Sequence, residues 1–346
     1  MTRPARRRQE PLAVALAGAG MISAHHLAAW RSLGPRARVV AICDPDAARA
    51  AKRAEEFGIP ATYRDREAML DDVAIDALDV ATPRETHADW VEAAAARGVD
   101  VLCQKPLTPT LAEAETLIRR IDGRIRLMVH ENWRFRPWYR ELKSWIQAGE
   151  LGALQLATMA MVNSGFLPDE AGTRFALVRQ PFMQHEARLM IAEVLIHHLD
   201  VMRYLCGPLR VVGARASHTL ADVRGETLAT IFLETAAGAP VVVNGTMAAP
   251  GYPIRVPDRL ELVGSIASAA FSGSPLTLRG GKRPREIGFD DAGGYQASFD
   301  GVIAHFVDCL VSGAPFETDP TDNLETLRLV EHAYRAAGLH APGPKS

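Results

Sequence analysis

Between residues 12 and 129 short apolar runs alternate with helix-length segments, and this rhythm narrows the fold more than any other property of the chain. Runs at 12–17, 38–43, 75–80, 100–103 and 124–129 read as strands, and 22–33, 47–57, 86–97 and 111–121 read as the helices between them. A strand that is apolar along its length is buried on both faces, and its parallel neighbour is reached only through a crossover such as a helix. The rhythm therefore predicts a doubly wound parallel α/β sheet with helices on both sides. After residue 131 it stops. Helix 137–147 and alternating strand 154–162 lead into 163–185, which has no periodic pattern; a connection that long is usually functional. A strong helix over 186–205, closed by Gly207 and Pro208, precedes strands at 209–214, 228–234, 240–244 and 260–263 and helices at 297–310 and 323–337. These predict a C-terminal α+β domain with an open, mostly antiparallel sheet. The expected domains are 1–131, with 1–10 as a disordered basic tail, and 132–346.

The 346 residues carry 39 Lys and Arg against 41 Asp and Glu, a formal charge of −2. A chain without a positive field is not a general nucleic-acid coat. No apolar run reaches the roughly 18 residues that cross a bilayer, so no membrane partner is expected. Fixed-period repeats are absent from the sequence, which disfavours solenoids and propellers. Cys43, Cys103, Cys206 and Cys309 are far apart with no CxxC pair, which predicts reduced thiols rather than a disulfide framework. Arg3, Arg6, Arg7 and Arg8 precede the apolar stretch 12–22, a pattern that secretory leaders share. That stretch ends in a glycine loop that the rest of the chain needs, so the expectation is a basic tail before a buried strand, in a cytoplasmic protein.

The loop is Ala17-Gly18-Ala19-Gly20-Met21-Ile22-Ser23, between the first strand and the first helix. Gly18 permits a tight turn, Gly20 lets backbone approach a pyrophosphate, and Ser23 fills the third small position. The helix start at Met21 and Ile22 then offers N–H groups and a partial positive charge to phosphate. Asp44, 24 positions after Gly20, ends the second strand. A carboxylate there accepts hydrogen bonds from an adenosine ribose and repels a 2′-phosphate, which predicts NAD in preference to NADP.

Two further segments follow predicted strands: Ala81-Thr82-Pro83-Arg84-Glu85-Thr86-His87 and Cys103-Gln104-Lys105-Pro106-Leu107. In an open parallel sheet ligands sit outside the carboxyl ends of the strands, so both would line a cofactor crevice. A third segment, Glu193-Val194-Leu195-Ile196-His197-His198-Leu199-Asp200, lies on the strong helix. Together with the loop and His26, these segments resemble the family of glucose–fructose oxidoreductase and inositol dehydrogenase, the Gfo/Idh/MocA family. Its marks are a GxGxxG loop with a following His, a TPN..H segment, an EKP triplet and a DxGxHxxD segment. Here Arg84 replaces Asn, Gln104 replaces Glu, Glu193 replaces Asp and Leu195 replaces Gly. Asn132-Trp133-Arg134-Phe135-Arg136-Pro137 resembles the family's arginine-containing segment at the entry to its second domain. The resemblance covers nearly the whole chain. It implies a Rossmann domain, cofactor contacts from Gly18, Gly20, Met21, Ile22, Asp44, Thr82, Pro83, His87, Gln104 and Lys105, and Lys105 and His197 facing the nicotinamide. It also implies a homodimer or homotetramer formed through the C-terminal sheet.

The chemistry of the residues agrees with that implication. Oxidising a secondary alcohol requires a hydride acceptor and a base; histidine as a residue type suits the second role, which points to His197, and Lys105 supplies charge to a developing alkoxide. Glu193 lies four residues before His197 on the same helix face, where it orients the imidazole or meets substrate hydroxyls. Lys105, Arg134, Glu193 and His197 are the expected substrate contacts, and a sugar, polyol or inositol, or sugar acid is the expected substrate. Arg134, Arg136, Arg174 and Arg179 pair well with planar carboxylates and set a sugar acid beside a neutral sugar or inositol, the other reading of them being solvated surface arginines plus one structural arginine; His185 and Tyr252 have no assigned role. Competing readings are a metal-dependent isomerase or hydrolase using Glu193, His197 and their neighbours, a non-catalytic NAD-binding regulator, and an isomerase or hydrolase that oxidises its substrate transiently. No metal is expected, because HExxH is absent and the metal reading leaves the glycine loop and Lys105 unexplained.

Overall fold

A computed structural model describes residues 8–121 and 123–339. Within it the chain forms two compact units, one running to Phe135 and including Tyr295–Leu327, the other comprising Arg136–Gly294 and the residues from Arg328 on.

The first unit contains β1 (Leu12–Ala17), α1 (Ser23–Ser32), β2 (Ala37–Cys43), α2 (Ala47–Phe57), β3 (Ala61–Tyr63), α3 (Arg66–Asp72), β4 (Ala77–Val80), α4 (His87–Ala96), β5 (Asp100–Gln104), α5 (Leu111–Ile121) and β6 (Leu127–His130). The strands form one sheet in the order β3-β2-β1-β4-β5-β6, with every neighbouring pair parallel. This is the predicted doubly wound sheet. Its order reverses between β1 and β4, where a crevice opens at the carboxyl ends. The register pairs Ala17 with Val80 and Val80 with Cys103, so the segments leaving β1, β4 and β5 start side by side. Leu12, Val14, Leu102 and Met128 pack with Trp30, Phe299 and Phe306 in a fully buried core.

β3 and α3 are absent from the sequence reading. β3 has three residues, too few to show alternation, and α3 owes its start to Asp65, whose side chain accepts from the Ala68 N–H. Residues 1–7 of the expected tail lie outside the described residues. Arg8 departs from that expectation: it is 8 % exposed, pairs with Asp100 at 2.9 Å and donates to the Gly98 carbonyl.

The second unit contains α6 (Pro137–Gln147), β7 (Leu154–Val162), α7 (Phe175–Arg179), α8 (Leu195–Cys206), β8 (Leu209–Ser217), β9 (Leu228–Thr235), β10 (Pro240–Thr246), β11 (Arg259–Gly264), β12 (Ala267–Phe271), β13 (Leu276–Gly280) and β14 (Arg285–Ile287). Two long helices follow, α9 (Gly294–Ser312) and α10 (Pro320–Ala336). The sheet order is β14-β13-β12-β11-β7-β10-β9-β8, and only β7–β10 is a parallel pair. Ala157, Met159 and Met161 of β7 are buried, and α8 packs against β7 and β10. Gly245 on β10 allows that approach, since a Cβ there would lie 2.7 Å from the Leu195 side chain. Alternate residues leave Leu156, Val212 and Phe232 exposed.

The sequence boundary at 131/132 lies close to the division at Phe135/Arg136, but Tyr295–Leu327 groups with the first unit. The reason is the apolar face of α9, whose Phe299, Val302, Ile303 and Phe306 complete the core over the parallel sheet. All four cysteines are free thiols, and Cys43, Cys103 and Cys309 are buried. No helix among the described residues is long and apolar enough to cross a membrane.

Candidate active site

The glycine loop turns at Gly18, where φ is +95° and an added Cβ would fall 2.5 Å from the Ala81 carbonyl oxygen. Only glycine fits that contact, which seats the loop on the segment leaving β4. At Gly20 the position of a Cβ has no atom within 4 Å, so a ligand can approach the backbone there. The Ser23 hydroxyl donates to the Gly20 carbonyl at 2.6 Å and closes the first turn of α1, next to the 38 %-exposed Met21 and the part-buried Ile22. Asp44 is buried at the end of β2. One carboxylate oxygen accepts the Ala19 N–H at 2.8 Å and the other accepts the Asp46 N–H at 2.9 Å. Each oxygen has a second lone pair, so the same carboxylate that braces the loop retains acceptor capacity for a ribose. The open face at Gly20 beside this acceptor fits a dinucleotide, with Gly18, Gly20 and Asp44 as the groups to hold it.

The segment after β4 leaves Thr82 part-buried and Pro83 exposed. His87 is buried between two backbone carbonyls, its Nε2 2.9 Å from that of Thr82 and its Nδ1 3.0 Å from that of Pro106, of which a neutral ring donates to one. Burial holds this imidazole below the usual histidine range, against the opposing pull of its bonds to those carbonyls. His87 therefore ties the segment after β4 to the one after β5 from inside. Lys105 begins the latter, half-buried, directly after Gln104.

Gln104 is 9 % exposed and faces inward. Its Oε1 accepts the Lys105 N–H at 2.9 Å, and its Nε2 lies 2.9 Å from His26 Nε2 and 3.5 Å from His130 Nδ1. His26 Nδ1 meets Asp79 at 2.8 Å, and Trp30 Nε1 donates to the same carboxylate at 2.6 Å. His26, Asp79 and His130 are all 0 % exposed. Asp79 and His130 escaped the sequence reading. A charged residue inside the apolar run 75–80 was a usable signal, because a buried carboxylate needs partners.

In the second unit α8 is entered through a π-helical turn, Met190–Val194, so the predicted helix start at 186 is not realised. Such turns recur at functional sites. The carboxylate of Glu226 sets this one up: it accepts from the N–H groups of Leu189 at 3.3 Å and Ile191 at 3.0 Å and from the Tyr334 hydroxyl at 2.5 Å. Glu193 lies in the turn, 7 % exposed. From Leu195 to Met202 every residue is buried except His197. His198 and Asp200 are 0 % exposed. His198 Nε2 meets Asp258 at 3.0 Å, and that carboxylate also accepts from Arg136 at 2.9 Å and Tyr139 at 3.0 Å. Neither Glu226 nor Asp258 had a sequence signal, since their partners are 35 or more positions away.

Three of the four arginines considered for substrate have carboxylate partners: Arg134 with Asp322 at 2.8 Å, Arg136 with Asp258, and Arg174 with Asp222. Arg134, in the first unit, also donates to the Glu317 carbonyl and is 4 % exposed. Arg179 is part-buried on α7, while His185 and Tyr252 are exposed. Among the described residues no group of three or more His, Cys, Asp or Glu is arranged to hold a metal ion.

Comparison with known proteins adds the following. Residues 12–130 match the family model described as an oxidoreductase family with an NAD-binding Rossmann fold, and residues 139–270 match the GFO/IDH/MocA C-terminal domain. The chain is 31% identical to the D-apiose dehydrogenase of Paraburkholderia graminis, over 93% of this chain and 87% of that one. It is 30% identical to D-xylose 1-dehydrogenase (NADP(+)) 2 of Haloferax volcanii, over 86% of this chain and 89% of that one. An oxidoreductase from Agrobacterium radiobacter, solved with NAD+, L-tartaric acid and magnesium, superposes with a TM-score of 0.86 at 28% identity, covering 94% of this chain and 96% of that one. With a glycine cradle and a doubly wound sheet in its first unit, and both family models matched along its length, the chain belongs to the GFO/IDH/MocA family of oxidoreductases and is an enzyme acting on CH–OH groups with a nicotinamide cofactor.

Proposed function

We propose that the enzyme transfers a hydride between a secondary hydroxyl of a sugar or polyol and NAD, with His197 as the acid–base group and Lys105 stabilising the alkoxide. The observation that carries this reading is the row formed along the carboxyl edge of the parallel sheet. Gly18 is seated on Ala81, and His87 joins Thr82 to Pro106, so loop, threonine segment and lysine segment are one braced assembly. NAD, when bound, supplies the hydride acceptor. The chain's own part is to hold and move a proton. Lys105 presents a cation where charge grows on oxygen, and His197, the one residue of its stretch of α8 that is not buried, takes the hydroxyl proton. Glu193, one turn earlier, orients that imidazole or accepts from substrate hydroxyls.

The names of the sugar dehydrogenases support the substrate class. Within it, the carboxylate partners of Arg134, Arg136 and Arg174 favour a neutral sugar or polyol over a sugar acid. Asp44 supports NAD over NADP, since a 2′-phosphate beside a buried carboxylate meets like charge. A second copy of this chain is the proposed partner of the sheet face carrying Leu156, Val212 and Phe232. The free thiols accord with a cytoplasmic setting.

The test is reduction of NAD, followed by absorbance, across sugars, inositols and aldonic acids. With the substrate found, Lys105→Ala and His197→Ala are each expected to lower kcat by about 10²–10⁴-fold while changing NAD affinity less than about threefold. Asp44→Ala is expected to weaken NAD binding and narrow the preference over NADP by roughly tenfold. Near-normal turnover in either of the first two variants defeats the assignment.

A further inference from the structure

We propose that Gln104 is a positioning residue for Lys105, holding the lysine backbone to the buried His26–Asp79 pair through a hydrogen-bond chain of fixed polarity. The inference rests on the proposed role of Lys105. Both ends of the chain have only one possible direction. At one end the Lys105 N–H donates, so the Gln104 atom 2.9 Å away is the amide oxygen, and its nitrogen faces His26. An amide nitrogen only donates. His26 Nε2 therefore accepts, which puts the ring proton on Nδ1, where it donates to Asp79 at 2.8 Å. At the other end the Asp79 carboxylate accepts from both His26 and Trp30. Every link is satisfied with a neutral imidazole, and the sequence Asp79, His26, Gln104, Lys105 runs in one sense.

The elements around His26 reinforce that order. His130 from β6 lies with its ring 4.3 Å from that of His26, and Phe299 meets it edge-on at 5.3 Å. Asp79 and His130 are the titratable groups that face it, with Trp30 and Gln104 as the remaining polar neighbours. The second amide hydrogen of Gln104 points to His130 Nδ1 at 3.5 Å, so that nitrogen also accepts. A glutamate at 104 keeps the shape and breaks the sense of the chain. Its carboxylate accepts from Lys105 and again meets an accepting Nε2, so the link closes only when the pair takes up one more proton. Gln104 thus frees the Lys105 position from a proton that a carboxylate at the same place requires. An apolar side chain of similar length removes the link altogether.

The experiment uses the full chain and three readouts. Ring 15N shifts of histidine-labelled protein at about pH 8 are expected to report His26 protonated on Nδ1 and bare on Nε2; a proton on Nε2 overturns the proposal. Gln104→Met is expected to lose about tenfold or more in kcat. Gln104→Glu is expected to recover turnover at about pH 6 and lose it progressively towards about pH 9, relative to the unsubstituted enzyme. A Met variant with full kcat, or a Glu variant whose pH profile parallels the parent, overturns the link. If the Met variant melts early, the tautomer and the Glu profile decide. Lys105→Ala is read separately: full activity there ends the proposed function, whereas the His26 tautomer is measured without turnover.

Discussion

The two units hold their candidate residues in different ways. In the first, Gly18, Thr82 and Lys105 hang from adjacent parallel strands, and the register of β1, β4 and β5 alone brings them into one row. In the second, Glu193 lies in a π-helical turn and His197 on the helix that this turn opens, and two distant carboxylates, Glu226 and Asp258, hold the turn and the helix in place. A sheet edge is positioned by backbone hydrogen bonds that any apolar strand provides. A helix start has orphan N–H groups and needs specific side chains to satisfy them. Substitutions in the supporting residues should therefore be borne more easily in the first unit than in the second.

The sharpest test of that contrast is Asp258→Ala, which strips a buried His198 and Arg136 of their common partner. A loss of about 3–5 kcal/mol is expected by chemical denaturation. Burial alone would raise the Asp258 carboxyl, but the His198 and Arg136 charges and the Tyr139 hydroxyl outweigh it and hold the group below the usual carboxylate range. A carboxylate depressed in the folded state adds stability above its unfolded value, near 4, and loses it as pH falls through the folded value. The gap between parent and variant is thus expected to be full at neutrality and to shrink below about pH 4; a gap independent of pH breaks the comparison.

The glycine pair sharpens it from the other side. Gly18→Ala combines a positive φ with a 2.5 Å contact and is expected to cost about 1–3 kcal/mol. Gly20→Ala meets nothing within 4 Å, so it should leave the melting temperature within about 2 °C while weakening NAD binding about tenfold or more. Equal effects of the two on folding would count against the cradle. A milder change than at Asp258 is expected in Glu226→Gln, which keeps the shape but exchanges one acceptor for a donor. About 1–2 kcal/mol should go, together with hydrogen-exchange protection at the Leu189 and Ile191 amides, before any in the first unit.

This asymmetry also governs what could be read from the residues. The parallel sheet was legible because apolar runs and glycine-stopped helices repeat along residues 12–129, and Asp44 and Lys105 were legible because each ends such a run. The α8 candidates were found through spacing, yet the helix begins nine residues later than the pattern suggests, at Leu195 rather than 186. Apolar periodicity does not distinguish a helix from a helix preceded by an irregular entry. β12, β13 and β14 went unseen because they are three to five residues long, too short for alternation to stand out. The partners of Arg134, Arg136 and Arg174 were not legible, because their carboxylates lie 48 to 188 positions away. Sequence shows donors and acceptors, but long-range pairing decides which are left for a substrate.

The buried thiols carry a last consequence. Burial, with Asp65 and Asp44 nearby, pushes Cys43 up to about 11; burial also takes Cys206 to about 12 and holds Cys103, beside Gln104, well above its ordinary value. Attack on peroxides and alkylating agents proceeds through the thiolate, and at neutral pH almost none of these sulfurs carries that charge. Iodoacetamide and mild hydrogen peroxide should thus leave the folded enzyme untouched at these positions, and denaturation should open them to both reagents.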